Sequence, residues 1–172
     1  MDLQDIKTPG LSCDLHDNPD IKERELALSH KILMSVEKPA RYIGGESGSV
    51  IKDKEKVSVR FAFCFPDSYD IGMSHLGMKI LYSLTNQREA YWCERVFAPG
   101  IDFEEIMRRE NIPLYALESL DPVKDFDFIG FTMQYELSYT NVLNMLDLAG
   151  LPVFAKDRGD ELFNIVVAGG PC

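Results

Sequence analysis

VSVRFAFCFPDSYDIGMSHLGMKIL, residues 57–81, decides the fold. Its first part, Val57–Phe65, is almost continuously apolar, the pattern of a parallel strand covered on both faces. Pro66–Gly72 follows as a polar turn. Met73–Thr85 then carries Leu76, Ile80, Leu81 and Leu84 at helical spacing. Such a strand–turn–helix junction is where open α/β sheets place ligands, because strand ends and helix amides converge there.

The same design recurs downstream. FDFIGFTM (126–133) and FNIVVAGGP (163–171) are again apolar strands running into polar or glycine-rich turns. Between them the chain alternates. Trp92–Phe97 reads as a strand ended by Ala98-Pro99-Gly100. Phe103–Glu110 reads as a short helix with Ile106 and Met107 inward and Glu104, Glu105, Arg108 and Arg109 in solvent. Pro113–Leu117 is a short strand or extended link, and Phe128–Met133 a buried strand. Tyr139–Ala149 is a helix with Gly150 as its C′ residue and Pro152 just beyond. Ile165–Ala168 is the last strand. The alternation predicts an α/β fold, a doubly wound and mostly parallel sheet of Rossmann-like type, over residues 57–172.

Residues 1–56 form an extension of different character. Asn18 and Pro19 suit a helix start, and Leu26, Ile32, Leu33 and Val36 recur helically, so a helix is expected over 19–37, closed by Pro39. Gly44, Gly45 and Gly48 between β-prone residues then predict a hairpin or a tight loop over 44–48, with Arg41, Tyr42 and Glu46 around it.

Composition narrows the class. At 172 residues, 45% apolar and 27% charged, the chain is long enough to bury a real core and has a soluble globular make-up. Its formal net charge of −10 gives no support to nucleic-acid or anionic-lipid binding. The opening MDLQDIKTPG lacks the apolar core of a signal peptide, and no run approaches the roughly 20 apolar residues of a spanning helix. The cytoplasm is the default compartment. Cys13, Cys64, Cys93 and Cys172 are scattered, with no C-x-x-C pair; Cys64 and Cys93 read as buried small hydrophobes.

Candidate ligand-binding residues lie after the strands: Asp67, Tyr69, Gly72, Ser74 and His75 after the first, Thr132 with Met133 and Gln134 after the second apolar run, and Gly169 and Gly170 after the last. Glycines there let backbone approach a ligand, and hydroxyls and amides orient it. Each has a plainer role. Asp67 and Asp70 suit turn or helix capping, His75 suits packing in a helix's first turn, and Tyr135 and Tyr139, four apart, suit a core face. No nucleophile–base pair stands out, so no catalytic residue is assigned.

RYIGGE, VRFAFCFPDSYDIGMSHLGMKILY, YWCERVFAP, IGFTMQYELSYTNVLNMLDLAGLP and VVAGGPC together resemble the N-terminal segment of a family of uncharacterised radical SAM proteins, from about Ser35 to the end. The resemblance implies a cobalamin-binding-like, Rossmann-like domain preceding a radical SAM barrel, its partner within the same polypeptide. The [4Fe–4S] cluster and S-adenosylmethionine belong to that barrel, since this chain has no C-x-x-x-C-x-x-C triad and is not itself expected to be catalytic. Laid on the Asp-x-His-x-x-Gly cobalamin motif, Asp67-Ser68-Tyr69-Asp70-Ile71-Gly72 puts Tyr69 in the histidine position, a far poorer cobalt ligand than imidazole. Thr132-Met133-Gln134 partly matches the Ser-x-Leu motif, and Gly169-Gly170 matches the double glycine. The resemblance thus implies an accessory domain that holds cobalamin without a histidine ligand or docks substrate beside the barrel. The alternative is a vestigial interaction module that binds no cofactor.

Overall fold

The computed structural model describes residues 30–158 and 164–172. Strands β1 (Val59–Phe65), β2 (Tyr91–Phe97), β3 (Phe128–Thr132) and β4 (Ile165–Gly169) form one sheet in the order β2-β1-β3-β4, and every pairing is parallel. Helices α1 (His30–Leu33), α2 (Tyr69–Ser74), α3 (Leu76–Asn86), α4 (Ile101–Glu110) and α5 (Tyr139–Leu148) complete a Rossmann-like α/β fold. The strand order reverses between β1 and β3, which makes their carboxyl ends the topological switch point.

Register assigns the two faces. Phe63 lies between Arg95 and Gly130, and Gly130 is opposite Val167. Phe61, Phe63 and Phe65 therefore share a face with Arg95, Phe128, Gly130, Ile165 and Val167. That face meets α3: the Phe65 and His75 rings lie 5.3 Å apart, and Met78 and Tyr82 are buried. Right-handed crossovers put α4 and α5 on the other face. There Phe103, Ile106 and Met107 of α4 are buried, as are Met145, Leu146 and Leu148 of α5. Arg108 joins the two helices, donating to Glu104 (3.0 Å), Asp147 (2.7 Å) and Asn144 (2.6 Å). That member of the charged run is a tether, while Glu105 and Arg109 stay exposed.

The helix expected over 73–85 is two helices. His75 has extended backbone (φ −76°, ψ 111°), ends α2 through its N–H to the Gly72 carbonyl, and starts α3 by accepting the Met78 N–H on Nδ1 at 3.1 Å. The inward residues of α3 are Met78 and Tyr82, not the leucine-rich stripe. Leu76, Ile80, Leu81 and Leu84 are 69%, 48%, 54% and 53% exposed.

Residues 39–58 form a loop rather than a hairpin, with Gly44, Gly45 and Gly48 at φ of 67°, 79° and 84°. At Gly44 a side chain would strike the Leu117 carbonyl, so the left-handed turn is also a close backbone approach. Of the helix expected over 19–37, His30–Leu33 is helical and Val36 is buried; Asn18, Pro19 and Leu26 lie outside the described residues.

This loop straps the β2 side of the molecule. The Trp92 indole donates to the Val50 carbonyl (2.9 Å), and the Val50 N–H donates to the Tyr82 hydroxyl (2.7 Å). Lys52 Nζ donates to the carbonyls of Asn86 (3.0 Å), the last residue of α3, Arg88 (2.7 Å) and Tyr91 (2.5 Å), tying the carboxyl end of α3 to the start of β2. The open edge of β2 is satisfied by mimicry. The Asn86 amide brackets Cys93, accepting its N–H (3.0 Å) and donating to its carbonyl (2.9 Å). Glu118 accepts the Arg95 N–H (2.7 Å), and the Leu117 N–H donates to the Arg95 carbonyl (2.9 Å). Occupying the edge groups in this way blocks pairing with another strand. β4, the opposite edge, has β3 as its sole neighbour among the described strands.

Candidate functional site at the carboxyl end of the sheet

The turn after β1 carries the residues that the cobalamin motif would use, and each is engaged by the protein. Asp67 Oδ1 accepts the Ser68 N–H (2.6 Å), and Asp67 Oδ2 accepts the Tyr135 hydroxyl (2.7 Å) from the loop after β3. Asn141, on α5, donates to the Pro66 carbonyl (2.9 Å). These two contacts cross the switch point between β1 and β3. The Asp67 carboxylate holds the Tyr135 phenol above its ordinary pKa.

Tyr69 turns the other way. Its ring meets Phe97 of β2 edge-on at 5.4 Å and lines a cavity of about 30 Å³ together with Arg41, Tyr42 and Tyr115. Burial, and then Glu46, raise the Tyr69 pKa. Gly72 is buried where any Cβ would overlap the rings of Phe97 and Phe65, so its smallness serves packing. The Ser74 hydroxyl donates back to the Asp70 carbonyl (2.8 Å), while Asp70 pairs with Arg41. His75 is the α3 cap described above.

Thr132 and Gly169 are paired across β3 and β4, and the Thr132 hydroxyl accepts from the Gln134 amide. The Met133 N–H donates to the Gly169 carbonyl (2.7 Å), and a side chain at Gly170 would collide with the Met133 backbone. The expected set is thus split. Thr132, Gly169 and Gly170 gather at β3 and β4, Asp67 bridges to Tyr135, and Tyr69, Gly72, Ser74 and His75 belong to packing and capping on the β2 side.

A larger opening lies between α3 and the glycine-rich loop, a groove of about 490 Å³. Val50, Met73, Met78 and Tyr82 give it apolar walls, and Arg95 lies among its lining residues. Arg95 Nε donates to Glu118 (2.6 Å), and its Nη2 donates to Ser49 (2.8 Å) and Glu46 (3.4 Å). Its guanidinium also lies over the Tyr82 ring, 4.6 Å from the centroid. Burial opposes the charge on Arg95, but Glu118, Tyr82 and Glu46 outweigh it and keep its pKa above the ordinary arginine value. Burial raises the Glu118 pKa against the pull of Arg95.

On the opposite face, Glu94 is completely buried. It accepts from Arg60 Nη2 (2.5 Å) and Nε (3.2 Å) and from the Ser119 N–H (3.0 Å). Arg60 in turn pairs with Asp121 (2.9 Å), which also pairs with Lys54 (2.5 Å). Neither network is anticipated by the sequence reading. Its one sign is Glu94-Arg95 inside the apolar run YWCERVF: strand alternation sends two adjacent charges to opposite faces, so each needs a buried partner. Among the described residues, no group of three or more His, Cys, Asp or Glu side chains is placed to hold a metal ion.

Residues 77–172 match the N-terminal family of radical SAM proteins. The chain belongs to that family. This radical SAM N-terminal domain is also 30% identical, over 118 residues, to uncharacterized protein MJ0966 of Methanocaldococcus jannaschii. The match covers 68% of this chain and 20% of the relative, so the chain spans about a fifth of the length of the curated relative it matches. No solved structure matches it. No helix among the described residues is long and apolar enough to cross a membrane.

Proposed function

We propose that this domain is a docking module of a radical SAM protein and holds no corrin at its switch point. The observation that carries the reading is the double bridge, Tyr135 to Asp67 and Asn141 to Pro66, across the place where a cobalamin tail would enter. The residues present do not fit the cofactor. Tyr69 faces Phe97 rather than the crevice, the space beside Gly72 is filled by aromatic rings, and Gly170 is pressed against Met133. His75 spends Nδ1 on the Met78 amide and packs on Phe65. The cluster and S-adenosylmethionine of the parent would lie in its barrel, and this domain would position that barrel or its substrate.

The test is retention of a corrin. The protein is mixed with hydroxocobalamin under reducing and non-reducing conditions, desalted, and scanned in the visible region. A colourless protein is the expected result. A stoichiometric bound corrin would overturn the reading and restore the cofactor-holding alternative.

A further inference from the structure

The groove between α3 and the glycine-rich loop has a fixed shape and a one-sided charge. Its volume of about 490 Å³ is that of a small-molecule pocket. Hydrogen bonds pin the loop side of it. Val50 accepts from the Trp92 indole and donates to the Tyr82 hydroxyl, and Ser49 accepts from Arg95 Nη2 at 2.8 Å. The loop is therefore fastened to both β2 and α3, and the space between them is not slack. Among the residues that line the groove, Lys79 and Arg95 alone are charged, and both are cations in a chain of net charge −10. The Arg95 side chain is 9% exposed. Its Nε and Nη2 are engaged by Glu118, Ser49 and Glu46, none of which lines the groove, whereas Nη1 meets only the Met73 sulfur at 3.3 Å, a weak acceptor. A buried guanidinium nitrogen thus borders the groove with donor capacity to spare. Lys79, exposed on the α3 wall, is engaged by no ion pair among the described residues.

We propose that this groove binds a small organic monocarboxylate, its carboxylate taken by Arg95 Nη1 and Lys79 and its apolar body by Val50, Met73, Met78 and Tyr82. The two thioethers and the aromatic ring suit an aliphatic or aromatic body, because methionine side chains adapt to irregular shapes. The charge of the ligand follows from the balance around Arg95. Glu118 neutralises the guanidinium, and Glu46 adds a second carboxylate beside it. Arg95 therefore supplies direction and Lys79 the net attraction. A second negative charge on the ligand would be repelled by the two glutamates, which selects a single carboxylate over a phosphate dianion. An ammonium ligand would meet the Lys79 ammonium where it needs an acceptor. The groove lies on the β2 side, away from the switch point between β1 and β3, so the inference rests neither on the docking reading nor on the absence of corrin.

Methionine methyl spectra test it, since Met73 and Met78 line the groove while Met107 and Met145 are buried under α4 and α5 on the reverse face. The protein, labelled at its methionine methyls, is titrated with octanoate, octanamide and octylammonium, and Met73→Leu and Met78→Leu assign the two signals. Octanoate is expected to shift both saturably, with a Kd of about 5 mM or tighter, and to leave Met107 and Met145 unmoved. Octanamide should bind at least about threefold more weakly, and Lys79→Met should weaken octanoate by at least about threefold. Lys79 is exposed, so this variant keeps the fold, which circular dichroism checks. The proposal is overturned if no saturable shift occurs by about 5 mM, or if Met107 and Met145 move alongside, which would mean partition of the amphiphile into the fold at large. Discrimination of less than about threefold in either comparison, or octylammonium binding as tightly as octanoate, would also overturn it, in favour of an uncharged apolar pocket.

Discussion

Glu94 shows how much one buried carboxylate holds. It is sealed from solvent, takes two hydrogen bonds from Arg60, and receives the Ser119 N–H. In Glu94→Ala, Arg60 keeps Asp121 but loses the partner beneath it, and the Ser119 amide is left unpaired. The expected loss is about 3 kcal/mol in urea unfolding. Glu94→Gln, which keeps an acceptor but not the charge, should lose less. Gly72 is the steric counterpart. Gly72→Ala forces the Phe97 ring aside and should cost about 1–3 kcal/mol; Phe97→Leu in the same chain should recover part of it. Additive losses in that pair would refute the ring contact as the cause. The identity of both residues is visible in sequence, but their roles are not. A glycine in a turn after a strand looks like a ligand approach until the ring that fills its space is known. A glutamate in a strand announces a partner without saying that the partner is 34 residues away.

Among elements, the strands are the most legible and the helix faces the least. β1 and β3 are short, mostly apolar runs, β1 followed by Pro66 and β3 preceded by Asp127, and the central residues of both are buried between layers, so their positions follow from the pattern. The helix α3 misleads for a physical reason. Leu76, Ile80, Leu81 and Leu84 repeat at helical spacing as strongly as any inward face, yet the sheet takes Met78 and Tyr82 instead. Periodicity reports an apolar stripe and not what covers it, and here the stripe lies mostly on the outer side of the helix, about half exposed. The ends of α3 are held by polar side chains outside its apolar stripe. Lys52 reaches the carbonyl of Asn86, the last residue of α3, together with those of Arg88 and Tyr91 beyond it, and His75 caps its amino end. Lys52→Met should cost about 1–2 kcal/mol. His75→Ala should cost about 1 kcal/mol, with His75→Asn retaining most of the cap. Amide exchange that accelerates in residues 76–86 ahead of the strands would locate both effects in the helix. Uniform acceleration across the domain would argue against capping.

Across the whole molecule, the buried titratable groups set a one-sided pH dependence. Burial raises the Tyr82 and Tyr115 phenols above their ordinary 10.0 and the Cys64 and Cys93 thiols above 9.0, so all four stay neutral in the fold. They line both faces of one sheet: Tyr82 on α3, Cys64 in β1, Cys93 in β2, and Tyr115 donating to the Tyr42 carbonyl at 2.9 Å. Each folded-state pKa exceeds the unfolded one, so the native state retains protons that the unfolded chain has already released. Their contribution is complete below the unfolded values and is lost as pH rises through and beyond them. The urea midpoint should therefore be level from neutral pH to about 8.5, then fall with a slope steepening by about 1.4 kcal/mol per pH unit for each group engaged. Absorbance at 295 nm gives the second reading, because tyrosinate from Tyr82 and Tyr115 should appear only as the far-ultraviolet signal collapses. Complete, smooth tyrosine titration with the secondary structure intact above about pH 11 would show that these phenols reach solvent without opening the sheet. The strap over β2 and the packing of α3 would then be far looser than the buried hydrogen bonds of Val50, Tyr82 and Tyr115 require.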